Sequence, residues 1–253
     1  MQFFSYFDII KIIKVVIMQR YFVKEKQNNN FILFDSDIHH IKNVMRNKTG
    51  DLIECIYNEK LYICKIEDLT NDKVIIIEEK DDYNELSLDI TIAIALVKEQ
   101  KMDLILQKLT ELGVNRIIPL KMERSIVKLD DKKFSKKKER WQKICKEASE
   151  QSKRNKIPEI TNVMTIKELK EIEVDCKFVC STKTHKNLVN NYLQDINKYA
   201  KIIFTIGPEG GISNVEEEEL IKNGFIPISL GSRIMRVETA AIYVASIINF
   251  CNM

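Results

Sequence analysis

Glycines and carboxylates gather between residues 201 and 240 at spacings that suit a ligand site. Gly207-Pro208-Glu209-Gly210-Gly211 follows directly on residues 201–206, a short apolar run rich in β-branched side chains that reads as a buried strand. Ser213 stands three residues before Glu216, the spacing of a capping box that opens a helix. A second short strand, 225–230, leads into Gly231-Ser232 and then into a helix carrying Ala240, Ala241, Val244, Ala245, Ile247 and Ile248. Two glycine-bearing loops therefore leave two strands of one sheet, at the kind of edge where open α/β sheets bind ligands. A glycine loop at a helix N-terminus usually suggests phosphate. Here Glu216, Glu217, Glu218 and Glu219 fill the first turns of that helix; they suit its dipole and repel a pyrophosphate. The spacing is also neither that of a dinucleotide fingerprint nor that of a P-loop. A neutral or cationic ligand held by backbone groups fits better, while the glycines taken alone are equally satisfied by making a turn.

The elements that must position these loops are legible in outline. The chain has 253 residues, of which 45% are hydrophobic and 30% charged, enough for a sizeable core in one large or two modest domains. Residues 51–57, 61–69 and 73–79 read as a hairpin and a third strand, preceded by a short helical piece around His39-His40 that ends before Gly50. From residue 88 the period changes. Residues 90–97 form a continuous apolar run, as expected of a central parallel strand. Met102, Ile105, Leu106, Leu109 and Leu112 then recur at helical spacing with Gly113 as a stop, and 116–120 is another short strand. The pattern predicts a small β-rich domain over 18–86 and an α/β domain over 87–253.

Cysteines at 55, 64, 145, 176, 180 and 251 form no CxxC pair and have no histidine at ligand spacing, so they read as reduced thiols of a cytoplasmic protein with no metal site. Residues 1–17 are apolar but carry Asp8, Lys11 and Lys14 along one helical line. They are too short and too charged to span a bilayer comfortably and lack a signal-peptide cleavage site, and the expectation is an upstream start with Met18 as the functional one and no membrane partner. Net charge is only +3, yet residues 98–156 hold 18 Lys and Arg against 9 Asp and Glu. A local excess of this kind is either the footprint of a polyanion or a solvated helix face.

The stretch IGPEGGIS, the acidic helix and SLGSRIMRVETAA together resemble the C-terminal signature of the SPOUT-class RNA methyltransferases, closest to the RsmE group. The HHIKNVMR segment followed by Gly50-Asp51, Lys98-x-x-Lys101-Met102-Asp103, QKLTELGV, and Glu147 through Arg154 match that group in order and spacing, so the resemblance covers residues 18–253. Met45, Met235 and Val237 depart from its pattern, and only Val237, which loses a hydroxyl, changes the chemistry.

The resemblance implies an α/β SPOUT domain with a C-terminal trefoil knot, preceded by a PUA-like barrel. It implies S-adenosylmethionine as cofactor, held by loops 180–184, 206–211 and 229–236. The residues concerned are Ser181 and Thr182; Ile206, Gly207, Pro208, Glu209, Gly210 and Gly211; Ser229, Leu230 and Gly231; and Ile234, Met235 and Arg236. Such a cofactor agrees with the first reading, since it has no phosphate and carries a sulfonium cation. Glu209 could favour that cation or accept backbone hydrogen bonds. The implied reaction is methylation of N3 of a uridine in 16S ribosomal RNA of the small subunit, by a homodimer. Deprotonating N3 leaves negative charge on uracil, so Arg124, Arg154 and Arg236 are the catalytic candidates. RNA contacts are expected at Arg20, His40, Arg46, Lys98, Lys101, Arg124 and Arg154. On their own His39 and His40 carry no assigned chemistry. A non-catalytic RNA-binding protein with this fold, or a nucleotide-dependent α/β enzyme, are the competing classes; intact glycine loops speak against the first and the glutamate run against the second.

Overall fold

The computed structural model describes residues 18–68, 70, 73–127 and 131–252. The expectation for residues 1–17 lies outside them. The chain divides into two compact units: residues 18–84 with 150–155, and residues 85–149 with 156–252. The sequence reading placed 85–86 in the first domain and 150–155 in the second.

The first unit contains β1 (Arg20–Phe22), β2 (Glu25–Gln27), β3 (Asn30–Ile32), α1 (Asp35–His39, continued by a wide turn over His40–Val44), β4 (Leu52–Tyr57), β5 (Lys60–Ile66) and β6 (Lys73–Lys80). They form a six-stranded sheet in the order β1-β4-β5-β6-β3-β2, antiparallel except for the β1–β4 pair. The β4–β5 hairpin turns at Asn58-Glu59, both at positive φ, an unfavourable backbone that the tight two-residue connection requires. Tyr21, Phe31, Ile53, Cys55, Tyr62 and Cys64 are among the buried residues on its core face, with Phe31 and Tyr62 edge to face at 5.0 Å.

The second unit is built on a parallel sheet. Its elements are β7 (Asp89–Ala95), α2 (Glu99–Glu111), β8 (Arg116–Lys121), α3 (Asp131–Gln151), β9 (Glu159–Ile160), β10 (Met164–Thr165), β11 (Cys176–Cys180), α4 (Asn190–Leu193), β12 (Lys201–Ile206), α5 (Asn214–Lys222), β13 (Ile226–Ile228) and α6 (Val237–Asn252). The order is β10-β8-β7-β12-β11-β13, with β9 beside β8, and every pair is parallel. Both faces are covered, which is why β7 reads as an unbroken apolar run. Ile90, Ile92 and Ile94 pack with α2 and α6 residues such as Leu106 and Val244, while Ala93 and Ala95 join Leu220 of α5 on the other side. Small alanines on that second face let the backbone of neighbouring elements come close.

Candidate functional site

Three neighbouring strands, β12, β11 and β13, run parallel and end level with one another. Cys180 is in register with Ile206 on one side and with Ile228 on the other. The loops that follow them, beginning at Ser181, Gly207 and Ser229, therefore emerge together at the carboxyl edge of the sheet. Between them lies a cavity of about 420 Å³ lined from all three loops and from the first turns of α6. That volume is in the range of small-molecule sites.

Local chemistry fixes each loop. The glycine loop closes as a turn, with Gly211 N–H donating to Pro208 O at 2.8 Å and Gly211 at φ 72°. Gly207 has a different role: a Cβ there would lie 2.5 Å from Cγ1 of buried Ile212. Ser213 then caps α5, its hydroxyl accepting from Glu216 N–H while the Glu216 carboxylate accepts from Ser213 N–H. The loop after β13 is tied down by Ser229 N–H donating to Asn187 O at 2.7 Å and by Val189 N–H donating to Ser229 O at 3.0 Å. Gly231 follows at φ 121°, a conformation that side chains rarely adopt.

All the residues expected to hold a cofactor line this cavity except Gly210. Gly210 faces Arg124 instead: a Cβ at Gly210 would come within 3.1 Å of the Arg124 Cβ, and Arg124 Nη1 donates to Gly210 O at 3.1 Å. Glu209 accepts a hydrogen bond from its own backbone, as one expectation had it, and has a further partner that neither foresaw. Its carboxylate accepts from Lys101 Nζ at 3.0 Å, and Lys101 lies 3.5 Å from Glu238 of α6 as well. Burial pushes the Glu209 carboxyl upward, but the hydrogen bonds from Lys101 and its own backbone, with the charges of Lys101 and Lys98, outweigh this and hold it below the usual carboxylate range. The Glu209 hydrogen bond in turn raises Lys101. Lys101 thus bridges two cavity-forming segments and is engaged by carboxylates where an RNA contact was expected.

The arginine candidates separate. Arg236 lines the cavity, is exposed, and makes no ion pair among the described residues. Arg124 supports the glycine loop from outside. Arg154, expected at RNA and in catalysis, is 3% exposed, belongs to the first unit and is not among the residues that line the cavity. Arg20, also expected at RNA, is 1% exposed: its Nε pairs with Glu54 at 2.8 Å and its Nη1 donates to the carbonyls of Lys153 and Arg154. The segment 150–155 completes the first unit, with Glu150 accepting from Phe22 N–H and Asn155 donating to the carbonyls of Glu59 and Asp82. Its charged and amide groups satisfy main-chain donors and acceptors, a structural use that the sequence does not signal. His40 is half-buried against Tyr21, with 3.0 Å between Nδ1 and the phenol oxygen, while Arg46 and Lys98 are exposed. Sequence reasoning missed Glu217 and His185, which also line the cavity, and gave Lys183 no role of its own within the expected loop 180–184. The only signal for Glu217 was its place in the glutamate run.

Burial raises the Cys180 thiol to about 12, so it stays protonated beside the cavity. Among the described residues, no group of three or more His, Cys, Asp or Glu side chains could hold a metal, and no helix is long and apolar enough to cross a membrane.

A parallel α/β domain with its cavity at the carboxyl edge, accompanied by a small β-rich domain, defines the class. The family model described as RNA methyltransferase domain matches residues 84–249, and that described as RNA methyltransferase PUA domain matches 33–79. The chain belongs to the ribosomal RNA small subunit methyltransferase E family. A relative of that name from Bacillus subtilis is 36% identical over 92% of this chain and 96% of its own length. A methyltransferase structure from Legionella pneumophila in complex with SAM is 30% identical, with a TM-score of 0.84 over 92% of this chain and 97% of its own. The ribosomal RNA small subunit methyltransferase E from Neisseria gonorrhoeae bound to S-adenosyl methionine is 29% identical, with a TM-score of 0.81 and the same coverage. The SPOUT-type α/β architecture expected from the sequence is therefore the architecture of the chain.

Proposed function

We propose that the chain transfers a methyl group from S-adenosylmethionine to N3 of a uridine in the ribosomal RNA of the small subunit. The observation that carries this reading is the convergence of three in-register strand ends on one cavity, in a member of a family whose structures include complexes with that cofactor. The cavity fits the group. Its walls combine apolar side chains such as Ile206, Leu230 and Val237 with the main chain of glycine-bearing turns, and the helix that starts after Ser213 carries Glu216 and Glu217 in its first turn, where a pyrophosphate would be repelled. Loops 206–211 and 229–236 would hold the adenosine and methionine parts. When bound, the cofactor supplies a methyl group on a cationic sulfur.

The residues of the chain have the complementary task. Uridine N3 carries a proton, and its loss leaves negative charge on the base. Arg236, exposed at the cavity wall, is placed to offset that charge. Arg124 acts one step back by holding Gly210. N3 lies on the Watson–Crick edge, so the target base must be unpaired or flipped out of its stack. The first unit, with exposed Arg46, supplies RNA contacts. A homodimer and the trefoil knot of the SPOUT class belong to the same reading. The sheet order supports the knot, because β12 inserts between β7 and the earlier-made β11.

Two measurements test it together. Calorimetry should show S-adenosylmethionine binding, and reverse transcription of small-subunit RNA incubated with the protein should stop at one uridine only when cofactor is present. Binding without any such stop would favour a non-catalytic RNA-binding protein, and a monomer in light scattering would remove the dimer.

A further inference from the structure

Glu217 is a carboxylate set into the cavity wall, and the reaction described above does not use it. It is 8% exposed, in the first half of α5. Its Oε1 accepts from Ser181 Oγ at 2.5 Å, and its Oε2 lies 2.5 Å from Lys183 Nζ. Ser181 is 6% exposed, and its Oγ also accepts from Lys183 N–H at 3.0 Å. On the other side Ser181 N–H donates to Ile228 O at 2.8 Å, at the end of β13. Residues 181–183 are thus fastened to α5 through one carboxylate and to β13 through one backbone bond, with the cavity between. Thr182 and Lys183 themselves are exposed and would otherwise be a free strand-end loop.

We propose that Glu217 is a positioning residue for the cofactor: gripped between the Ser181 hydroxyl and the Lys183 ammonium, it holds residues 181–183 as a preformed cavity wall. The proposal rests on the reading that this cavity binds S-adenosylmethionine. A wall ordered before binding spares the ligand the entropy of ordering it, so the bracket should act on affinity. It should act equally before and during methyl transfer, and therefore leave turnover at saturation unchanged. The two charges are interdependent. Removing Lys183 alone leaves a largely buried carboxylate unpaired, which is worse than removing both partners.

The test uses the full chain and four variants: Glu217→Gln, Glu217→Ala, Lys183→Met and the double variant Lys183→Met/Glu217→Gln. For each, the dissociation constants of S-adenosylmethionine and of its neutral product S-adenosylhomocysteine are measured by calorimetry, with kcat and KM alongside. Trypsin cleavage after Lys186 without ligand reports the order of the loop directly. We expect Glu217→Ala and Lys183→Met each to weaken both ligands about tenfold, with kcat within about twofold of wild type. Glu217→Gln should fall between these and wild type, because it keeps an acceptor for Ser181. The double variant should bind better than Lys183→Met alone, and cleavage after Lys186 should be faster in every single variant. If Glu217→Ala does not fold, Lys183→Met and the double variant carry the comparison, since Lys183 lies at the exposed rim. Affinities within about twofold of wild type in all variants, or cleavage at the wild-type rate, would overturn the proposal while leaving the cofactor reading intact. A loss confined to S-adenosylmethionine would also overturn it, because the carboxylate would then act on the sulfonium and not on the loop. Failure of the wild-type chain to bind either ligand would remove the cofactor reading and the proposal with it.

Discussion

Arg236 and Arg20 show how differently one side chain can serve two sites. Arg236 stands exposed at a cavity for a cationic cofactor, so its charge is useful only to something anionic. Arg236→Ala should lower turnover on the order of a hundredfold and leave S-adenosylmethionine affinity within a few-fold, measured by primer extension and calorimetry. Arg236→Lys should rescue poorly, since a point charge does not reproduce a planar fork. Arg20 is sealed in the first unit beside Glu54. Arg20→Met leaves Glu54 with Lys153 as its remaining cation at 2.8 Å, and should cost about 3 kcal/mol of stability in denaturant titrations, near the low end for a broken buried pair. Its turnover, measured where the variant is folded, should be close to wild type. The two central glycines also diverge. Gly207→Ala drives a methyl into Ile212 at 2.5 Å, a collision with a buried side chain, and should weaken cofactor binding about tenfold or more. Gly210→Ala meets Arg124, at 3.1 Å from its Cβ and 3.6 Å from its carbonyl oxygen, a milder crowding, and should change affinity much less in the same titration.

At the scale of elements, the Lys101 bridge joins the loop after β12 to the first turn of α6. Glu209 is held low, so its contribution is present above about pH 4.3 and is lost as pH falls through its folded value. Lys101 is held high, so its contribution is present below about pH 10.4 and is lost as pH rises through its folded value. The difference in melting temperature between wild type and Lys101→Met should therefore be flat across neutral pH and shrink toward both extremes. A maximum confined to mildly acidic pH would mean that another group controls this bridge. The elements themselves were largely legible. The apolar run of β12, the Ser213 capping box and the Gly113 stop are local signals, and they correspond to β12 at Lys201–Ile206, α5 beginning at Asn214, and α2 ending before Gly113 at φ 85°. What was not legible is long-range. Nothing near Glu150 or Asn155 announces main-chain partners more than 90 residues away, at Phe22 and Glu59. Nor does β1, three residues long, carry a pattern that shows its parallel pairing with β4.

For the whole molecule, charge must be counted after pairing. Of the basic excess of residues 98–156, a little under half falls on α3, with eight Lys and Arg against four Asp and Glu, and part of it is already engaged: Lys137 and Arg140 pair with Glu99, and Arg140 also with Asp103. Arg46, exposed and at φ 55°, is the cation of the first unit that the proposed function assigns to RNA. Arg46→Ala should reduce the dependence of RNA affinity on salt by about one unit of log–log slope, whereas Arg140→Ala should leave that slope nearly unchanged. Equal effects in a salt series of filter-binding or anisotropy measurements would show that α3 faces the RNA after all.

The position of β12 has a consequence for how the protein comes into being. Its neighbours, β7 and β11, are synthesised first, and Asp89 must wait for Lys201 before the centre of the sheet can close. Pairings that distant in sequence form slowly. Until residues 201–206 leave the ribosome, two strands that will be interior present open edges, and of the three cavity loops only the one after β11 has been made. A nascent chain can therefore fold its first β-rich unit before it acquires a complete cofactor site, which needs residues 201–240 to have emerged. Competence to bind cofactor is in that sense a signature of a chain made past its last cavity-forming loop: a chain stalled before residue 200 can hold the first unit, yet lacks the strand that joins β7 to β11.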